Sequence, residues 1–266
     1  MAQDSRTRIA LTLASSDSGG GAGIQADLKA FARCGVHGTS AIVALTAQNT
    51  VGVTAIHECP PSFVTAQLDA LMADLPPQAV KTGMLFSSSI ITAVAGALEG
   101  SGLPLVIDPV MIASSGSRLL RDDAVAALVE VLFPLATVVT PNLMEAQALT
   151  GLATEDRTAL SEALVSLGAP AALVTGGHGS EPIDHLFDGT EHLDLPVTRH
   201  DVPATHGAGC THSAALTAFL ARGLPLPAAA RQASIVAGQA VLHGLFDVGA
   251  GDGPVDVFNV RAVDLS

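Results

Sequence analysis

Thr205-His206-Gly207-Ala208-Gly209-Cys210-Thr211 is followed at once by apolar residues at helical spacing (Ala214, Ala215, Leu216, Ala218, Phe219, Leu220). A glycine turn that opens a helix is a ready anion site, because unpaired N–H groups and the helix dipole point at one spot. The stretch therefore reads as a phosphate-handling turn with a thiol beside the reacting group.

Working outward, short apolar runs alternate with amphipathic stretches along the whole chain. Strands are expected over 9–14, 39–47, 52–56, 79–82, 105–108, 137–140, 171–175, 183–187 and 192–195. Helices are expected over 22–33, 61–73, 88–99, 122–133, 143–150, 155–167, 210–221 and 227–243. Several strand runs are continuously apolar, which fits a parallel sheet covered on both faces. Strand–helix alternation predicts the same α/β class. The last two strands read as an antiparallel hairpin around Asp188-Gly189-Thr190. No repeat, linker or low-complexity tract divides the chain, so one domain over 1–266 is expected. The glycine-rich stretch 248–254 reads as a mobile tail loop or a cover on the nucleotide site.

Composition narrows the function. Hydrophobic residues make up 48% and charged residues 14%, so most of the chain is expected to pack. With no Trp or Tyr, stacking platforms for single-stranded nucleic acid are not expected. A net charge of −13 argues against nucleic-acid and anionic-membrane partners. Three widely spaced cysteines (Cys34, Cys59, Cys210) give no disulfide framework and no CxxC pair. With no secretory signal and no membrane-length apolar run, a cytoplasmic location is expected.

In open parallel sheets, ligands bind beyond the carboxyl ends of the strands. Polar residues recur there: Asp17, Gln48-Asn49, Lys81-Thr82, Asp108-Pro109, Thr140-Pro141-Asn142 and Thr175-Gly176-Gly177-His178. Together they predict one continuous cleft. Gly19-Gly20-Gly21-Ala22-Gly23-Ile24 fails the G-x-G-x-x-G spacing at Ile24, so a nicotinamide dehydrogenase is disfavoured. Its glycines favour a ligand loop over a merely flexible turn. The chain contains no G-x-x-x-x-G-K-[ST], G-x-S-x-G or H-E-x-x-H.

Individual residues have competing readings. Cys210 is either a small buried hydrophobe or a thiol activated by a helix start. His206 and His212 lie near it in sequence but show no clear orienting acid, and His200 and His206 read as loop residues. Asn142 and Glu145, three apart, form either a capping box or, with Asp108, a hard-oxygen set suited to Mg²⁺. Lys81 binds phosphate or pairs with a carboxylate such as Asp108, the second being favoured. Gln48 offers a donor and an acceptor to an aminopyrimidine, or simply forms a turn with Asn49.

In order and spacing these motifs resemble the ribokinase superfamily, and within it the bacterial hydroxymethylpyrimidine/phosphomethylpyrimidine kinases. The matching segments run from Ala10 to about Pro254. They include Gly20–Lys29, Ala47-Gln48-Asn49-Thr50, Lys81-Thr82-Gly83-Met84-Leu85, Asp108-Pro109-Val110-Met111, Thr140-Pro141-Asn142-Leu143 with Glu145, Gly176-Gly177-His178 and Thr205–Thr211. The resemblance implies a three-layer α/β/α sandwich with a mostly parallel central sheet. It implies ATP-dependent phosphorylation of 4-amino-5-hydroxymethyl-2-methylpyrimidine and of its monophosphate, with Mg²⁺, in a homodimer. It places Gln48, Met84, Val110, Ala22 and Asp17 against the substrate, and Asn142, Thr175, Gly176 and Gly177 against the nucleotide. Asp108 and Glu145 fall on the metal, and Gly207, Ala208, Gly209 and Cys210 on the transferring group. Cys210, as a helix-start thiolate, is expected to accept or relay the hydroxymethyl proton. Two departures stand out: Ser15 where Gly is usual, and Val174-Thr175 in place of a common Met-Lys. Pyridoxal kinases of the same superfamily are the alternative, and Gln48 favours the pyrimidine. A pyrimidine-binding protein without catalysis is the remaining rival.

Overall fold

A computed structural model describes residues 6–111, 120, 122–177 and 181–262. Nine strands form one sheet in the order β3-β2-β1-β4-β5-β6-β7-β8-β9. The strands are β1 (Ile9–Asp17), β2 (His37–Gln48), β3 (Val53–Glu58), β4 (Ala79–Thr82), β5 (Leu105–Ile107), β6 (Val138–Val139), β7 (Ala172–Val174), β8 (Ile183–Phe187) and β9 (His192–Pro196). The inner strands from β2 to β7 run parallel. β3 closes one edge antiparallel, and the expected hairpin β8–β9 closes the other.

Helices α1 (Gly23–Arg33), α2 (Pro61–Asp74), α3 (Ser88–Leu98), α4 (Asp122–Ala127), α5 (Leu143–Thr150), α6 (Arg157–Ser166), α7 (Ala208–Ala221) and α8 (Leu226–Leu242) cover both faces. One core packs α2–α6 against Leu11, Leu13, Val80, Leu105, Ile107 and Val139. The other packs α1, α7 and α8 against Ala10, Ala79, Val106, Val138 and Leu173. Successive strand residues thus enter opposite cores, which is why the strands read as unbroken apolar runs. This is the three-layer α/β/α arrangement that the resemblance implies.

Differences from the expected elements have local causes. The helix expected over 122–133 is α4 followed by a π turn (Leu128–Leu132) and a 3-10 turn (Phe133–Leu135). Pro134 cannot supply the amide that would continue it. α7 begins two residues earlier than expected, at Ala208, because Gly207 adopts the left-handed φ of 84°. The stretch 248–254 is no loose tail. Gly251 N donates to Thr50 Oγ1, Gly253 O accepts from His206 N, and Pro254 O accepts from Leu245 N.

The parallel register sets Thr12 beside Lys81, both facing α1. There the fully buried Lys81 Nζ meets Asp27 Oδ1 at 2.5 Å, and Thr12 Oγ1 donates to Asp27 Oδ2 at 2.6 Å. Asp27→Ala should leave a buried ammonium without its nearest counter-charge. The expected loss is about 3–5 kcal/mol of unfolding free energy, read from urea titration of both chains.

Candidate active site

Beyond the carboxyl ends of the parallel strands lies a cavity of about 670 Å³. Strand order distributes its walls. β2 ends at Gln48 and β1 at Asp17, with Ala22 in the following loop. Met84 follows β4, while Asp108 and Val110 follow β5. Asn142 and Glu145 follow β6; Thr175, Gly176 and Gly177 follow β7. Gly207, Ala208, Gly209 and Cys210, at the start of α7, line the same cavity, and α7 packs against β1, β4 and β5. Every residue expected at the site therefore faces one space. His178, quoted with the Gly176-Gly177 motif, lies outside the described residues.

The turn at 207 is built by close approach. A Cβ on Gly207 would stand 1.8 Å from Gly21 O, whereas one on Gly209 would meet nothing within 4 Å. Ala208 N donates to Thr205 O at 3.0 Å, so its amide is not available to an anion. Gly209 and Cys210, second and third in α7, have no carbonyl one turn earlier to pair with. They are the amides the turn can offer.

Cys210 is half-buried at the cavity wall. Burial pushes its thiol up to about 12; Lys81 pulls the other way, Asp108 and Asp27 push it further up, and a hydrogen bond from the Gly23 amide lowers it. The balance opposes the thiolate that a helix start favours. A raised thiol disfavours the expected general-base role near neutral pH.

Lys81 belongs to the same cluster. Besides Asp27 it faces Asp108 Oδ2 at 3.6 Å, and Ser213 Oγ donates to that oxygen at 2.8 Å. Burial opposes the lysine's charge, but Asp27 above all, with Asp108, outweighs it and holds its pKa above the ordinary value. The pairing expected with Asp108 is present, and Asp27 is the nearer partner.

Asp17 commits much of its carboxylate to its own loop. Oδ1 accepts from Gly19 N, and Oδ2 accepts from Gly21 N, Ala22 N and the His206 ring. Burial opposes ionisation there, yet His206 and the Gly19 and Ala22 amides prevail and lower its pKa. Asp17 shapes the loop whose other residues line the cavity.

Asn142 and Glu145 form the capping box: Asn142 Oδ1 accepts from Glu145 N and Glu145 Oε2 from Asn142 N, both at 2.9 Å. Burial first, then the charge of Asp108, raises Glu145 to about 8. Two neighbouring carboxyl groups remain turned toward the cavity. Among the described residues no group of three or more His, Cys, Asp or Glu is placed to hold a metal ion.

Thr46 Oγ1 lies 3.0 Å from both Gln48 Oε1 and Ser16 O, and its one hydroxyl hydrogen is shared between them. The Gln48 side-chain amide faces the cavity. Gly176 N donates to Asp184 Oδ1 at 2.7 Å, so Gly177 carries the available amide of that pair.

Sequence reading missed two carboxylate–imidazole pairs. His206, read as a loop residue, is buried and reaches Asp17 across 189 positions. His212 Nε2 lies 3.4 Å from Asp184 Oδ2, which also accepts from Ser234 Oγ at 2.5 Å. Arg199 and His200, in the segment after β9, also line the cavity. No short-range pattern marks any of these contacts.

A family model for phosphomethylpyrimidine kinase matches residues 17–256. The chain belongs to the phosphomethylpyrimidine kinase family. Among its relatives, a hydroxymethylpyrimidine/phosphomethylpyrimidine kinase of Rhizobium meliloti (strain 1021) is 49% identical over 265 residues, covering 95% of this chain and 98% of the relative. A pyridoxal kinase of Bacillus subtilis, solved as an ADP complex, superposes with a TM-score of 0.87 at 36% identity, over 97% of this chain and 100% of that one. A phosphomethylpyrimidine kinase of Clostridium difficile 630 gives 0.77 at 38% identity, over 86% and 97%. The family thus accounts for the ribokinase-like fold and for a kinase cleft at the strand ends.

Because burial suppresses its thiolate, Cys210 in the phosphomethylpyrimidine kinase cleft should alkylate slowly near neutral pH. Its iodoacetamide labelling rate, followed by peptide mass spectrometry, should climb about tenfold per pH unit through the alkaline range. A rate already on a plateau near neutrality would mean a lowered pKa.

Proposed function

We propose that this chain phosphorylates 4-amino-5-hydroxymethyl-2-methylpyrimidine with ATP, then phosphorylates the monophosphate to the diphosphate, in thiamine diphosphate biosynthesis. One observation carries this reading beyond family membership. Strand order sets Gln48, Met84 and Val110 toward the β2–β5 side of the cleft and Asn142, Thr175 and Gly177 toward β6–β7. The free amides of Gly209 and Cys210 enter the same cavity from α7. A heterocycle on one side and a nucleotide on the other would meet at that turn.

Phosphoryl transfer depends mainly on alignment and charge neutralisation. The Gly209 and Cys210 amides hold the migrating group as its charge develops. Lys81, fixed beneath them by Asp27 and Asp108, keeps a positive charge close by. Cys210 acts there as a neutral, positioning thiol. Asp108 and Glu145 fit a divalent cation: two crowded carboxyl groups, one raised by the other, are relieved by a small dication that keeps waters and binds phosphate oxygens. Mg²⁺ so held would neutralise the nucleotide's phosphates. A homodimer and a cytoplasmic location complete the reading; the three cysteines are free, and no described helix is long and apolar enough to cross a membrane.

A pyridoxal kinase is the second reading, favoured by the similarity in fold to the Bacillus subtilis enzyme. Gln48 separates the two, since its side-chain amide offers a donor and an acceptor to the aminopyrimidine. ADP release measured with the pyrimidine alcohol, its monophosphate and pyridoxal should rank pyridoxal last. Gln48→Met should lower kcat/KM for the pyrimidine alcohol about tenfold, the worth of one good hydrogen bond, and leave pyridoxal turnover largely unchanged. An unaltered preference removes Gln48 as selector.

Gly207 and Gly209 should respond differently to alanine. Gly209→Ala keeps the N–H and adds a methyl group to open space at the cavity wall, so the melting temperature should hold, while a phosphoryl group displaced about 1 Å by that methyl should cost about 100-fold in kcat. Gly207→Ala should lose folded protein first, because its Cβ overlaps Gly21 O at a positive φ. Equal effects on stability would contradict this division.

A further inference from the structure

Three distant stretches of chain cross at His206. Its ring Nε2 lies 3.0 Å from Asp17 Oδ2. Its main-chain amide donates to Gly253 O at 3.1 Å, and its carbonyl accepts from Val255 N at 3.0 Å. The ring fills the space a side chain at Gly21 would need, since a Cβ there would stand 2.3 Å from His206 Cδ2. The next residue, Gly207, presses on the Gly21 carbonyl and begins α7. The Asp17 carboxylate already gathers the Gly19, Gly21 and Ala22 amides of its own loop, and His206 joins that set from the segment that leads into α7.

The geometry points to His206 as a positioning residue: its imidazole fixes loop 17–22, on the alcohol's side of the cavity, against the Gly209 and Cys210 amides. This rests on the phosphotransferase reading above. Each wall is folded by its own bonds. The loop curls around Asp17, and the turn is held by Gly207 N-capping α7 and by the main-chain pairing with 253–255. The ring–carboxylate contact joins the walls, beside the close approach of Gly207 to Gly21 O and the hydrogen bond from the Gly23 amide to Cys210. A misplacement of about 1 Å in such an alignment costs on the order of 10²-fold in rate. Loss of the ring should therefore appear in turnover more than in binding.

The test compares His206→Leu and His206→Gln with the native chain in ADP-release kinetics. His206→Leu should lower kcat about 10- to 100-fold while both KM values stay within about threefold. His206→Gln, whose side-chain amide can donate to the same carboxylate, should recover kcat to within about fivefold of native. A native kcat in His206→Leu overturns the inference. So does a Gln variant as slow as the Leu variant, or a loss confined to KM. If His206→Leu does not fold, ¹⁵N NMR of the native chain decides, with the His206 signals assigned by their absence from the Gln variant. A hydrogen on Nε2 supports the contact, and an Nδ1–H tautomer without it overturns the contact. A native chain that releases no ADP with the pyrimidine alcohol would instead defeat the phosphotransferase reading, and the NMR result would still bear on His206 alone.

Discussion

Burying both faces of a parallel sheet leaves polarity one place to collect. Between the two helical layers, strand side chains enter dry cores alternately, so hydrogen-bonding groups are confined to where strands end and loops begin. The cavity is the consequence of that confinement. Asp17, Gln48, Asp108, Asn142 and Thr175 share it because they all stand at or just past the carboxyl end of an inner strand. At Thr12 and Lys81, inside the sheet, polarity is matched by Asp27 from the covering helix.

Charge in the cleft is managed almost wholly in pairs and triples. Lys81 has Asp27 and Asp108; Asp17 has three loop amides and His206; Asp184 has Gly176, Ser234 and His212. A chain with few cations thus prepares a pocket for a highly anionic co-substrate without displaying a basic surface. On the proposed reading, main-chain amides and one sequestered ammonium would meet its phosphates, with Arg199 and His200 also at the cavity wall.

The architecture was legible because its signals are local. Apolar runs, helix starts and the turn at Asp188-Gly189-Thr190 each declare themselves within a few residues, and the strand ends named the cavity lining. What escaped was set by register and by long-range contact. Asp27 reads as one polar position on a helix until the pairing of Thr12 with Lys81 shows which way they face. His206 has no acid nearby in sequence, since its partner is 189 residues away. The state of the Cys210 thiol was hidden for a related reason. The helix start that favours a thiolate is visible in sequence, but the burial that opposes it is supplied by distant segments.

The main-chain pairing of His206 with Gly253 and Val255 has an implication for biosynthesis. The sheet, from β3 to β9, is complete in sequence before residue 200 emerges from the ribosome. The turn before α7 gains its outer support only when the segment around residue 254 follows. A nascent chain can therefore be largely compact and still catalytically silent, with its cleft fastened last.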